Sequence, residues 1–224
     1  MNTNMDMHDR ARRWDLPGPF QVAHIATKSR YELCAGHPIY CAPTGGDGAR
    51  GQFAGAEVLD TDPAVEAAGG DAGFALGKRI LRAPDIAVGN VPDRPGWIQG
   101  APPLAVEYAS AGQDESKLQE KIADFLTAGT RWVWVVRLLG PRRVEVYERD
   151  QPVRLFGRGT ILSAPGILRN DVPVEALYDR SVAHDLTLRN LLQRKGYQGL
   201  DDVREQGRDP SRCGRARFRS AARW

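Results

Sequence analysis

The chain has few of the residues that most often hold metals through sulfur or nitrogen. Its three cysteines, Cys34, Cys41 and Cys213, form no C-x-x-C pair. An odd, scattered set of this kind excludes a disulfide framework and a cysteine-based zinc centre. The four histidines, at positions 8, 24, 37 and 184, have no metal-ligand spacing. No apolar run approaches the ~18 residues that a membrane helix needs. The N-terminal segment MNTNMDMHDRARRWDLPGPF lacks the apolar stretch of a secretory signal. A soluble, cytoplasmic setting is therefore expected. There is no G-x-S-x-G elbow, H-E-x-x-H pair or dinucleotide fingerprint. Gly73 to Arg79 has three residues between its glycines where a phosphate loop needs four, and Arg79 stands where Ser or Thr is required.

What is present is ordinary globular material: 224 residues, 42% hydrophobic and 26% charged. The 24 glycines and 15 prolines favour a loop-rich α/β or α+β domain over a helical bundle. The formal net charge of +3 is unevenly spread. Seven arginines and two acids between Arg204 and Trp224 contribute +5, leaving a body of −2. A nucleic-acid coat over the whole surface is thereby disfavoured.

The order along the chain predicts four parts: a leader over 1–28, a core over 29–180, C-terminal helices over 181–206, and a basic tail over 207–224 expected to be disordered. Tyr31 to Tyr40 reads as a hairpin turned at Ala35-Gly36. A glycine-rich stretch follows from Thr44 to Gly55, then a weak segment around Val58. Asp71–Leu76 and Ile80–Val88 read as strands, the second interrupted by Pro84. Leu104–Tyr108 is a compact apolar strand holding one acid. Leu118, Ile122, Phe125 and Leu126 lie at i, i+4, i+7 and i+8, predicting a helix over 116–128 with Asp114 or Ser116 as cap and Gly129 as stop. Trp132–Val136 reads as a central strand covered on both faces, so its two tryptophans are expected in the core. Arg143–Glu148 alternates and suits a strand nearer an edge. The strand–helix–strand unit from Leu104 to Val136 implies a parallel crossover in a mixed sheet.

Glu107 sits mid-strand in a run that favours burial, and a buried carboxylate is costly unless paired, hydrogen-bonded or bound to a metal. The plainer reading is an exposed or ion-paired glutamate. Asp85 follows Pro84 at the irregular start of an apolar strand, where the plainer reading is a turn acid. Two acids on neighbouring strands would suit Mg²⁺, which takes one or two carboxylates plus waters and phosphates. Lys121 falls at the margin of the helix's apolar stripe, from which its stem could carry the ammonium over the sheet. Lys117 lies further round the helix, and either lysine could simply be solvated.

The runs Pro84-Asp85, Val106-Glu107-Tyr108-Ala109-Ser110 and Asp114 to Val136 resemble the Uma-two family of restriction-endonuclease-like proteins, within the PD-(D/E)xK nuclease superfamily. Tyr31-Glu32-Leu33 with Gly36, Asp71 to Phe74 and Arg143 to Tyr147 resemble further landmarks, covering roughly Tyr31 to Tyr178. The resemblance implies an α/β, restriction-endonuclease-like fold with a mixed central sheet flanked by helices. It also implies a Mg²⁺-dependent (or Mn²⁺-dependent) endonuclease acting on DNA, with Asp85 and Glu107 as metal ligands and Glu32 as an accessory one. In the wider superfamily the lysine stands two residues after the strand acid. Here that position is Ala109, so the role passes to Lys121, with Lys117 in reserve. Dimers are common among double-strand cutters of this fold, which makes a homodimer an expectation. Two other readings stay open: a catalytically weak nucleic-acid-binding or interaction module, and a nuclease whose cutting depends on a partner. The arginines of the tail, interleaved with Phe218 and Trp224, could contact phosphates and stack on bases, or form a plain extension.

Overall fold

The computed structural model describes residues 18–208. Most of the leader, Cys213 and the basic tail therefore lie outside the described residues. The elements run in chain order β1 (Tyr31–Cys34), β2 (His37–Tyr40), α1 (Gly46–Thr61), β3 (Ala68–Gly70), β4 (Phe74–Gly77), β5 (Ile80–Arg82), β6 (Ile86–Val88), β7 (Ile98–Gln99), β8 (Leu104–Ala109) and α2 (Glu115–Ala128). They continue with β9 (Trp132–Arg137), β10 (Arg143–Glu148), β11 (Arg154–Gly157), β12 (Ile161–Leu162), β13 (Val172–Pro173), α3 (Arg180–Arg194) and α4 (Leu200–Arg208). No helix among the described residues is long and apolar enough to cross a membrane.

The central sheet has six strands in the order β11-β10-β9-β8-β6-β3. Its β8–β9 pair is parallel and its other pairs are antiparallel, giving the mixed sheet that the crossover implied. A five-stranded sheet, β2-β1-β5-β4-β7, stands beside it, and β12 pairs with β13.

Alternation along β8 and β9 divides the core in two. Val106, Tyr108, Trp134 and Val136 face α1 and α3, joining Val58, Leu59, Ala183 and Leu186. Ala105, Ala109, Val133 and Val135 face α2, where Leu118, Ile122 and Phe125 cover them. Fully burying side chains of that size contributes roughly 1.5–3 kcal/mol each. Asp114 caps α2 by accepting from the Lys117 N–H, and Gly129 ends it at φ 109°, a backbone that suits glycine.

Two parts of the sequence reading are corrected. The glycine-rich stretch from Thr44 to Gly55 and the weak segment around Val58, read above as no regular element, lie largely in one 16-residue helix, Gly46–Thr61. Its glycines lower helix propensity but serve its packing. A Cβ on Gly51 would lie 2.9 Å from the Tyr108 ring, and one on Gly55 would overlap the Tyr108 hydroxyl. The interruption at Pro84 is also more than an irregularity. It splits Ile80–Val88 into β5 and β6, which belong to different sheets.

Candidate active site

The break between β5 and β6 is where the site is built. Arg82, Ala83, Pro84 and Asp85 carry the chain from the smaller sheet to the central one. Because Ile86 pairs with Val106, Asp85 arrives beside the middle of β8. Its Oδ2 accepts from the Tyr108 N–H at 2.5 Å, and its backbone carbonyl accepts from Gln52 Nε2 at 2.8 Å. Among the described residues no hydrogen bond reaches Oδ1.

Glu107 alternates with Val106 and Tyr108, so it projects to the α2 side with Ala105 and Ala109, and it is 6% exposed. Lys121 descends from α2 over this face. Its ammonium lies 2.9 Å from Glu107 Oε1 and donates to Oε2 at 3.0 Å. It also meets Glu32 Oε1 at 3.1 Å and donates to the Ala83 carbonyl at 2.7 Å. Ala109 has no length to compete for this space. Lys117 sits one turn earlier, its ammonium 3.5 Å from Asp114 Oδ2 at the helix start.

Glu32 comes from β1 and is enclosed. Its Oε1 accepts from the Ala83 N–H at 3.1 Å, and its Oε2 from Arg82 Nη1 at 3.2 Å. Arg82 is 1% exposed and reaches across to Asp124 of α2, donating through Nε to Oδ2 at 2.7 Å. Arg82 and Asp124 were missed by sequence reasoning. The signal for Arg82 was available, since a charged residue in Ile80-Leu81-Arg82 faces the same burial problem as Glu107. Asp124 carries no such signal, because half of any amphipathic helix is polar.

The protonation balance follows from burial and neighbours. Burial pushes Glu107 up to about 8, with Asp85 and Glu32 adding to the rise and Lys121 opposing it. Burial likewise raises Asp85 against the pull of Lys121 and the Tyr108 N–H. At Glu32 burial also acts upward, but Lys121, Arg82 and the Ala83 N–H outweigh it and hold the carboxyl low. Burial would lower Lys121, yet Glu107, Glu32 and Asp85 together keep its ammonium well above the usual range. The lysine is a fixed cation among acids, two of which resist ionising.

A second charged cluster lies on the same face. Arg137 of β9 grips both oxygens of Glu115 at 2.8 Å and donates to Glu145 Oε2 at 2.8 Å. Arg143 takes Glu145 Oε1 at 2.8 Å. Here the hydrogen bonds from Arg137 hold Glu115 down at about 2. Glu145 is lowered too, its burial outweighed by Arg137 and Arg143.

The acids of the first cluster fit a small hard cation. Glu107 Oε1 is buried and meets the Lys121 ammonium at 2.9 Å as an ion pair, with no further hydrogen-bond donor on it among the described residues. Asp85 keeps Oδ1 unbonded. Two carboxylates with room for water are what Mg²⁺ uses. Among the described residues no three of His, Cys, Asp and Glu form a metal-holding group, and the oxygens of Glu32 are already engaged.

The sequence profile of the Uma2 family, described as "Putative restriction endonuclease", matches residues 19–175. The chain belongs to that family. A crystal structure at 1.96 Å from Anabaena variabilis ATCC 29413, described as "a putative nuclease belonging to DUF820", is similar in fold with a TM-score of 0.62. The similarity covers 74% of this chain and 99% of that one at 20% sequence identity. No curated protein matches. The fold expected from the sequence, an α/β restriction-endonuclease-like domain, is thus the one observed.

Proposed function

We propose that this Uma2 protein is a Mg²⁺-dependent endonuclease that hydrolyses phosphodiester bonds in DNA. The observation that carries the reading is the contact of the Lys121 ammonium with Glu107, beside Asp85, in a buried site with more acid than base. A divalent cation held by Asp85 and Glu107 would supply Lewis acidity at the phosphoryl group and make water a better nucleophile at neutral pH. Lys121 would stabilise charge developing on the phosphoryl oxygens. Its elevated pKa favours this electrostatic role over proton abstraction, because a general base must lose its proton near the working pH. Glu32, locked by Arg82 and the Ala83 N–H, orients Lys121 and is not expected to serve as a metal ligand. Cutting both strands of a duplex calls for two such sites, so we expect a homodimer, which sedimentation equilibrium of the full chain checks.

Supercoiled plasmid with Mg²⁺ or Mn²⁺ is expected to be nicked and linearised by wild type, and left intact by Glu107→Ala and Lys121→Ala. Equal cleavage by wild type and Glu107→Ala would end the reading. A parallel arm with RNA decides the substrate class. One observation favours a binding module instead: Lys121 already partly neutralises the acids, and the described residues offer no three-ligand group. Salt-sensitive DNA binding without metal-dependent cutting would support that module.

A further inference from the structure

Asp85 stands one residue before β6, and its backbone carbonyl is not held by the sheet. In an antiparallel ladder the hydrogen-bonded pairs recur at every second residue. Between β3 and β6 the Gly89 N–H donates to the Ala67 carbonyl at 2.9 Å, and Gly69 pairs with Ala87. The next bonded pair in that series would be Asp71 with Asp85. It does not form. β3 ends at Gly70, Asp71 adopts a left-handed backbone at φ 52°, and no backbone bond joins Asp71 to Asp85 among the described residues. The Asp85 carbonyl thus faces the β3 side without a ladder donor. Gln52 of α1 supplies one, its Nε2 donating at 2.8 Å.

The surrounding sequence explains how Gln52 reaches this place. Gly51 and Gly55 let α1 lie against Tyr108, since a Cβ on Gly51 would stand 2.9 Å from that ring. Gly70 flanks the same bond from β3. A Cβ there would lie 3.4 Å from the Asp85 carbonyl oxygen and 3.6 Å from Gln52 Nε2. Asp85 is therefore held at two points, its Oδ2 by the Tyr108 N–H of β8 and its carbonyl by α1. One contact fixes the carboxylate and the other the backbone that carries it, while Oδ1 stays unbonded.

We propose that Gln52 is a positioning residue for the candidate metal ligand Asp85. It replaces the missing ladder donor and so sets the direction in which Oδ1 meets a cation. Groups that orient a ligand without touching the metal strengthen binding, because a ligand already held in place loses less freedom when the ion arrives. The inference rests on the reading of Asp85 and Glu107 as ligands of a divalent cation, but not on cleavage of DNA.

The test is titration of the full chain with Mn²⁺ alone, followed by the electron paramagnetic resonance signal of the free ion. Gln52→Met keeps the reach and helix propensity of the side chain but has no donor. It is expected to weaken Mn²⁺ binding roughly 10- to 100-fold, the usual loss when the support of a ligand is removed. Gln52→Asn keeps the amide but is one methylene shorter. It is expected to weaken binding likewise, which covers the case in which the methionine variant misfolds. Gln119→Met serves as the control. It removes a glutamine amide that bonds Glu115 and Tyr147, outside the site, and is expected to bind Mn²⁺ as wild type does. Scanning calorimetry in EDTA checks that each variant is folded. Folded Gln52 variants that bind Mn²⁺ as tightly as Gln119→Met overturn the proposal and leave the metal reading standing. Wild type that binds no Mn²⁺ removes the metal ligands, and this proposal with them. Wild type that binds Mn²⁺ but leaves plasmid intact, with the Gln52 variants weakened, removes only the nuclease reading.

Discussion

The two charged clusters on the α2 face of the sheet are built from the same residue types and behave in opposite ways. Around Glu115 and Glu145, two carboxylates meet two guanidinium groups, and both acids are easier to ionise than usual. Around Glu107, the carboxyls of Asp85, Glu32 and Asp124 outnumber the cations Lys121 and Arg82, and Glu107 and Asp85 are harder to ionise than usual. Burial separates them as well: Glu115 is largely exposed, whereas Glu107 is enclosed. A balanced network of this sort fastens elements together, here α2 to β9 and β10. An unbalanced one lowers stability unless something cationic arrives, and that marks it as a place for chemistry.

The comparison can be broken most strongly at Lys121. Lys121→Ala is expected to lower plasmid cleavage on the order of 10²–10³-fold, the usual cost of losing one group that stabilises transition-state charge. Arg82→Ala comes next. It leaves Glu32 and Asp124 without their shared cation in a buried setting, and is expected to cost about 3–5 kcal/mol in urea unfolding.

A third experiment sharpens the contrast through pH. The folded-state pKa of Glu107 is raised above its unfolded value, so the folded state binds that proton more tightly. Its contribution to stability is present below pH 4.5 and is lost as the pH rises through about 8. Glu107→Gln, free of that titration, is expected to match wild type near pH 5 and to melt several degrees higher near pH 9 without metal. Millimolar Mg²⁺ should reverse the order at high pH by raising the melting temperature of wild type alone, which scanning calorimetry reads directly. No shift with metal in wild type would count against Asp85 and Glu107 as ligands.

The smallest effect belongs to the balanced cluster. Glu115→Gln is expected to cost no more than about 1 kcal/mol, because Glu115 itself is largely exposed and its charge screened. Its sign with pH is the reverse of Glu107. The Glu115 pKa is lowered, so its contribution is present above pH 4.5 and is lost as the pH falls toward about 2.

Much of this was legible in the residues. Period-two and period-3.6 patterns gave the β8–α2–β9 unit, because both of its strands are buried on both faces and its helix has one apolar stripe. The alternation also put Glu107 in a buried strand, and the helical wheel put Lys121 at the edge of the stripe. Helix α1 was hidden because its glycines argue for a loop until one knows that Tyr108 lies against them. Propensity gave way there to a tertiary contact. The split of β5 from β6 was half visible, since Pro84 announces a break but not a change of sheet. Asp124 was lost because an ion pair between residues 42 positions apart leaves no local pattern, and Arg82 showed only as a charge at the end of a short apolar strand.

Lys121 stands on a helix laid over the sheet, while the acid it meets stands on a strand. Two residues apart on one strand, an acid and a lysine would keep a separation set by covalent geometry. Here the separation is a packing distance, maintained by Leu118, Ile122 and Phe125 below and by the arginine contacts at Glu115 and Asp124. Small movements of α2 therefore act on the charge around Glu107. Opening of this one helix is expected to part the charged groups before the sheet beneath it loosens, and to be visible as earlier hydrogen exchange along α2.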